Sequence, residues 1–142
     1  MIHARLLISL AILILSATAY SDVNSDIDLK RIMQDLQRDS ALIVEGLLVE
    51  NFEGIDDAAK RIADHPRIPP TQVALVATEL GSEMPDFKQL DTLVHDLALS
   101  ISAAAREADT ASIADNYKRM LDGCLTCHAA YRQRVARVLS SK

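Results

Sequence analysis

The chain has 142 residues, a formal charge of −5 and an isoelectric point near 5.3. An acidic chain lacks the basic surface on which nucleic-acid binding depends, so this function class is excluded. Aromatic residues make up only 4% of the sequence and Trp is absent, so a core built from this chain would gain from a large apolar group at its centre.

The first 19 residues have the pattern of a secretory signal peptide. Arg5 lies in a short charged start, residues 6–15 are an apolar run, and a small-residue Ala-Thr-Ala sequence ends at Ala19. The run is short for a bilayer span, which favours cleavage after Ala19, with an uncleaved anchor as the alternative. Cleavage would leave residues 20–142, a single domain of 123 residues, and loss of Arg5 would take the charge to −6. We expect a periplasmic protein with no membrane contact after cleavage.

An amphipathic helix is predicted over residues 27–51, where apolar positions recur at i, i+3, i+4 and i+7. Ser25 or Asp26 is the expected N-cap, with acidic residues in the first turn. The stripe comprises Leu29, Ile32, Met33, Leu36, Ser40, Ile43, Val44, Leu47 and Leu48.

A second helix is predicted over residues 52–65, with Asn51 as its N-cap. Three prolines between residues 66 and 70 end regular helix there. Residues 71–80 form a short apolar segment that Gly81 terminates, which predicts a minor helix in the connection.

Two more long helices are predicted, one from Pro85 to about residue 108 and one over residues 111–139, separated by Asp109-Thr110. No segment alternates like a strand. The sequence therefore predicts an all-α fold, an antiparallel four-helix bundle whose facing helices enclose a cofactor. The apolar face of the last helix carries Ile113, Tyr117, Met120, Leu121, Cys124, Cys127, His128, Tyr131, Val135 and Val138, and is expected to face the core.

The sequence Cys124-Leu125-Thr126-Cys127-His128 is a C-x-x-C-H motif, the signature of covalent haem attachment. Each thiol adds across one haem vinyl group, and the His beside the second Cys can bind the iron. Haem is attached to this motif outside the bacterial cytoplasm, which agrees with an export signal. No other cysteine is present.

Three alternatives compete with haem. A thioredoxin-type redox pair would sit beside a parallel sheet, which the sequence does not predict. A structural zinc site needs four ligands, and only His65 and His95 are available besides the motif. A simple disulfide between Cys124 and Cys127 would close too small a ring to constrain the chain.

A C-x-x-C-H motif on the last of four helices, followed by Tyr131-Arg132, resembles the class II cytochromes c, the cytochrome c′ family. The resemblance covers essentially the whole chain after the signal. It implies a four-helix bundle carrying one covalent haem c, with His128 as the proximal iron ligand. In its low-spin branch a Met of the first helix binds the iron as sixth ligand, and Met33 occupies that sort of place. In the other branch the iron is five-coordinate.

Further residues are candidates for the haem site. His95 is a rival sixth ligand, although its position in the helical repeat places it on a half-exposed edge of its helix. Phe87 could contact the porphyrin, and Arg132 could shield the proximal ligand or pair with a propionate. Met33 and Phe87 also have a simpler interpretation, because both suit ordinary core packing.

The leading hypothesis is a periplasmic carrier of single electrons between redox partner proteins, not an enzyme. No carboxylate pair, Ser-His-Asp set or phosphate loop supports hydrolysis or group transfer. The alternative is a five-coordinate haem that binds nitric oxide or carbon monoxide. A third hypothesis has no haem and structural or metal-binding cysteines. The resemblance also implies a homodimer through the first two helices, where Leu42 and Val49 lie off the main stripe.

Overall fold

A computed structural model describes residues 28–140, and this part of the chain contains helices and no strand. The all-α prediction is therefore confirmed. The proposed signal peptide and its cleavage site lie outside the described residues. The elements are α1 (Leu29–Val49), α2 (Phe52–Ala63), α3 (Pro70–Leu80), a 3-10 turn (Gly81–Glu83), α4 (Met84–Arg106) and α5 (Thr110–Ser140).

The start of α1 differs from its prediction. The side chain of Asp28 caps the helix, because its Oδ1 accepts a hydrogen bond from the backbone N–H of Arg31 at 2.7 Å. The sequence predicted Ser25 or Asp26 as the cap, which is wrong because Asp28 is the cap; Ser25 and Asp26 themselves lie outside the described residues. The first turn also lacks the predicted acidic residues.

The other helix ends follow the sequence closely. Asn51 caps α2 as predicted, since its side chain accepts from the N–H of Gly54 at 3.0 Å. Gly81 ends α3 with a φ of 53°, a conformation that glycine adopts without steric cost. Asp109 caps α5, accepting from the N–H of Ser112 at 3.0 Å.

The main core joins α1, α2, α4 and α5. Helix α2 packs against α1 on one side and α4 on the other, and α4 packs against α5. Each of these four helices contributes an isoleucine with no exposed surface; they are Ile43, Ile55, Ile101 and Ile113. The hydrophobic effect of this burial is what holds the helices together.

A second core cluster lies at the end of the molecule that carries the C-x-x-C-H motif. Its buried members are Leu29, Val76, Leu80, Tyr131 and Val135, which come from α1, α3 and α5. The short helix α3 therefore covers this end, as the prediction of a minor connecting helix implied. Phe87, Leu90 and Cys127 pack around the cluster as partly buried neighbours.

Candidate haem site on the last helix

The motif residues lie in the middle of α5, a helix of 31 residues. Cys124, Cys127 and His128 are spaced i, i+3 and i+4, so their side chains project from one side of the helix. Both cysteines are half-buried and neither forms a disulfide. His128 is exposed, whereas the stripe predicted that it faces the core.

Helix α4 supplies an apolar wall beside the thiols. Phe87 and Tyr131 meet with ring centroids 5.6 Å apart, and Cys127 packs around the same cluster. At Gly123 the two helices come close, because a Cβ built there would lie 3.4 Å from side-chain carbons of both Leu93 and Val94. The cysteines are therefore held against a wall that excludes much of the solvent.

Burial keeps both thiols neutral. Desolvation raises the pKa of Cys124, and desolvation followed by the negative charges of Asp91 and Cys124 raises the pKa of Cys127 to about 11. A redox-active Cys-x-x-Cys pair works through a thiol whose pKa is lowered. The site therefore lacks the electrostatic environment that a thioredoxin-type reaction requires.

A structural zinc site finds no support either. Within residues 28–140, no group of three or more His, Cys, Asp or Glu side chains is placed to hold a metal ion. His95 Nδ1 lies 2.9 Å from the carbonyl oxygen of Ala63, which fixes that ring nitrogen on the end of α2. His65 Nε2 lies 3.6 Å from Asp91 Oδ1, and its Nδ1 lies 2.8 Å from the carbonyl oxygen of Pro66.

Helix α1 runs antiparallel to α5 in a register that two contacts define. The hydroxyl oxygens of Ser40 and Tyr117 are hydrogen-bonded at 3.0 Å. Leu29 precedes Ser40 on α1, yet it belongs to the same buried cluster as Tyr131 and Val135, which follow Tyr117 on α5. Residue numbers therefore decrease along α1 in the direction in which they increase along α5.

This register brings Met33 to the height of the C-x-x-C-H motif. Met33 precedes Ser40 by seven residues, and Cys124 follows Tyr117 by seven residues, so both lie about 10 Å of helix rise from the hydrogen bond. Seven residues make two turns to within about 20°, so Met33 points to the same side of α1 as Ser40, toward α5. On α5, His128 follows Tyr117 by eleven residues, close to three turns, so it lies on the flank of α5 that carries Tyr117, about 6 Å of helix rise beyond Cys124.

The facing flanks of α1 and α5 form a seam that remains partly open. These two helices approach each other much less closely than α4 and α5 do. Met33 is 36% exposed and Leu121 is 39% exposed. We define the α1–α5 seam by Met33 and Ser40 on α1 and by Tyr117, Leu121 and His128 on α5. Sequence periodicity missed the Ser40–Tyr117 contact, because it reports which face is apolar and not which residue it meets.

The remaining predicted site residues take different positions. Phe87 is half-buried on α4, beside Tyr131 and within the cluster that Cys127 contacts. Arg132 is exposed on α5, one turn after His128. Arg134, two residues further on, forms ion pairs with Glu79 at 3.4 Å and Glu83 at 2.9 Å that tie α5 to α3 and the following turn.

A groove of about 750 Å³ lies between α1 and α2. Ile32 and Leu36 contribute apolar surface, and Arg61 and Asp39 line it with an ion pair at 2.7 Å. The groove contains none of the motif residues and not Met33, but it shares Ile32 and Leu36 with the surface of α1 beside Met33.

Comparisons with known proteins gave no match: no family model fits the chain, and no curated protein and no solved structure is significantly similar to it. The resemblance to class II cytochromes c thus rests on the motif, its position and the helices, and stays a prediction. Among the described residues, no helix is long and apolar enough to cross a membrane.

Proposed function

We propose that the protein is an exported c-type cytochrome that carries single electrons, built as an antiparallel four-helix bundle from α1, α2, α4 and α5. One observation carries this proposal. Counted along both helices from the Ser40–Tyr117 hydrogen bond, Met33 comes level with Cys124, and His128 follows about one helical turn beyond on the flank of α5 that carries Tyr117. This arrangement would let a His and a Met of two different helices both reach a haem held by Cys124 and Cys127.

The donor chemistry of the site fits covalent haem. Cys124 and Cys127 are free, half-buried thiols on one side of a helix. Addition of each S–H across a vinyl C=C forms a carbon–sulfur bond, and the hydrogen ends on the other vinyl carbon, so nothing leaves and no oxidant is needed. Once bound, the haem would supply a one-electron couple between ferrous and ferric iron.

The chain's own residues would hold the group and set its potential. His128 would provide the proximal nitrogen and Met33 the distal thioether sulfur, a ligand pair that raises the reduction potential. Phe87 and Leu90 would exclude water beside Cys127 and lower the local dielectric. Arg132, exposed one turn beyond His128, would pair with a propionate at the solvent edge.

A second candidate function is the binding of nitric oxide or carbon monoxide at a five-coordinate iron. The exposure of Met33 favours it, because a side chain that is 36% exposed is not fixed by packing. Its neighbour Ile32, by contrast, is 1% exposed, so packing in the core fixes that side chain. A Met33 side chain turned away from α5 would leave the distal side to Leu29, Ile32 and Leu36.

Spectra of the purified protein test the proposal. Haem should remain with the chain on a denaturing gel and be lost from Cys124→Ser/Cys127→Ser. Wild type should be low-spin in both redox states, with a ferric thioether-to-iron band that Met33→Leu abolishes. Met84→Leu is the matched control, since it removes another helical thioether at nearly constant volume. High-spin spectra that Met33→Leu leaves unchanged would favour gas binding, and a colourless chain would refute both functions.

Export and partners form the rest of the proposal. We expect the holoprotein in the periplasm with Tyr20 at its N-terminus, as fractionation and N-terminal sequencing would show. Its acidic surface suits a basic redox partner, whose association should weaken at higher ionic strength. Leu42 and Val49 are 42% and 67% exposed on α1, which supports a homodimer through this helix.

A further inference from the structure

We propose that the hydrogen bond between Ser40 and Tyr117 is a positioning device that holds Met33 on the flank of α1 that faces the C-x-x-C-H motif. This inference rests on the proposed function and assigns a role to two residues that touch neither the thiols nor the iron ligands. Ser40 and Tyr117 act through the rotation and the height of α1, so both are positioning residues.

The seam needs such a contact because packing supplies little there. On its other flank α1 is fixed by α2, through the Arg61–Asp39 ion pair at 2.7 Å and the contact of Gly46 with Ile55. Toward α5 the helices approach less closely. On the side of α1 that faces α5, the hydrogen bond between the Ser40 and Tyr117 hydroxyls, at 3.0 Å, is therefore one of few contacts that resist sliding or rotation of the helix.

The pair is suited to define a register. Both hydroxyls are part-buried, and Tyr117 packs against the main core together with Leu36 and Leu47. A slip of α1 by one turn, about 5.4 Å, would separate the two oxygens and leave each in partly apolar surroundings. A polar contact among apolar neighbours favours one register because the alternatives leave polar groups unpaired.

The same hydrogen bond also sets the rotation of α1 about its axis. Ser40 and Met33 differ by about 20° around the helix axis, so a bond that turns Ser40 toward α5 also turns Met33 toward α5. Met33 has no comparable anchor of its own, being 36% exposed. The direction in which this side chain leaves the helix is therefore set by the backbone of α1.

The test compares Tyr117→Phe, Ser40→Ala and the double variant with wild type, as purified holoprotein. We expect each single variant to weaken the ferric thioether band and to raise the rate of carbon monoxide binding to the ferrous protein about tenfold, the effect of losing one hydrogen bond. The double variant should be no worse than either single variant, because both remove the same interaction.

Three further measurements make the outcome decisive. Ser100→Ala, which removes an exposed hydroxyl that bonds only within α4, should match wild type. Ser40→Thr keeps a hydroxyl and should restore the band. Thermal unfolding should show that all variants remain folded. Haem-loaded variants whose band and binding rate equal those of wild type, or effects that add in the double variant, would overturn the positioning role alone. Absence of covalent haem in wild type would instead overturn the proposed function and this role with it.

Discussion

The rings of Phe87 and Tyr131 meet edge to face, with centroids 5.6 Å apart and planes inclined at 78°. This geometry places the positive edge of one ring against the negative face of the other. It joins α4 to α5 three residues beyond His128 on the latter helix. The pair therefore stiffens the wall against which Cys127 lies.

Replacing Phe87 with Ala should lower the free energy of unfolding by about 2 kcal/mol, because the change removes an aromatic pair and part of the second core cluster. Urea denaturation followed by circular dichroism measures it. Lys88→Ala, an exposed neighbour on α4, should change stability by less than about 0.5 kcal/mol. Equal effects of the two substitutions would contradict the role of the ring pair.

Local features of this fold were predictable from sequence because they depend on residues close in the chain. Asn51 caps α2 and Gly81 ends α3, and both were predicted from turn chemistry alone. Asp28 was missed as the cap of α1 because Ser25, Asp26 and Asp28 are equally good caps by residue type. The cap is the residue directly before the first helical residue, which is Leu29, a buried member of the second core cluster.

The relations between helices were not predictable in the same way. Periodicity put Met33 on the apolar stripe of α1, but the buried residues there are Leu29, Ile32 and Ile43, and Met33 lies on the flank beside them. Whether a flank faces solvent or another helix depends on the crossing of α1 and α5. That crossing is fixed by contacts such as Ser40–Tyr117, which are 77 residues apart in sequence.

Gly46 lies close against α2. A Cβ at this position would lie 2.6 Å from Cγ1 of Ile55, a side chain with no exposed surface, and 3.1 Å from the backbone oxygen of Asn51. Gly46→Ala should therefore cost about 1–2 kcal/mol despite the better helix propensity of Ala. At Gly123 the nearest atom would be 3.4 Å away, so Gly123→Ala should not destabilise. Guanidinium denaturation distinguishes them, and a stabilised Gly46→Ala would refute the close approach.

Asp56 is the centre of a polar network between α2 and α4. Its carboxylate accepts from Lys60 at 2.6 Å and from the buried Ser102 hydroxyl at 2.5 Å, and Arg106 approaches within 3.5 Å. Burial raises the pKa of Asp56, but the hydrogen bonds from Lys60 and Ser102 and the charges of Lys60 and Arg106 outweigh it, so the pKa lies below its usual value. A lowered folded pKa contributes stability above the unfolded pKa of about 3.9, which is lost as pH falls through the folded value.

Asp56→Asn should thus destabilise the protein by about 1–2 kcal/mol at pH 7, since Lys60 loses its charged partner. The difference from wild type should shrink as pH falls below about 4. Urea unfolding at pH values from 3 to 7 provides the measurement. Asp57→Asn, at an exposed neighbouring position, serves as the control. A difference between wild type and Asp56→Asn that stays constant across this range would contradict the assignment.

His65 and Asp91 link the segment after α2 to α4. The hydrogen bond with Asp91 raises the pKa of His65, burial opposes it, and the Pro66 carbonyl and the Asp91 charge add to the rise. A raised folded pKa contributes stability that is complete below the unfolded pKa of about 6.5 and is lost as pH rises through the folded value.

We therefore expect the pKa of His65 to lie above 6.5 in a nuclear magnetic resonance titration, and to fall in Asp91→Asn. Asp96→Asn, an exposed carboxylate elsewhere on α4, should leave it unchanged. The melting temperature of wild type should decline more between pH 6 and pH 8 than that of Asp91→Asn. Identical titrations of His65 in the two proteins would show that the 3.6 Å pair has no influence on its proton.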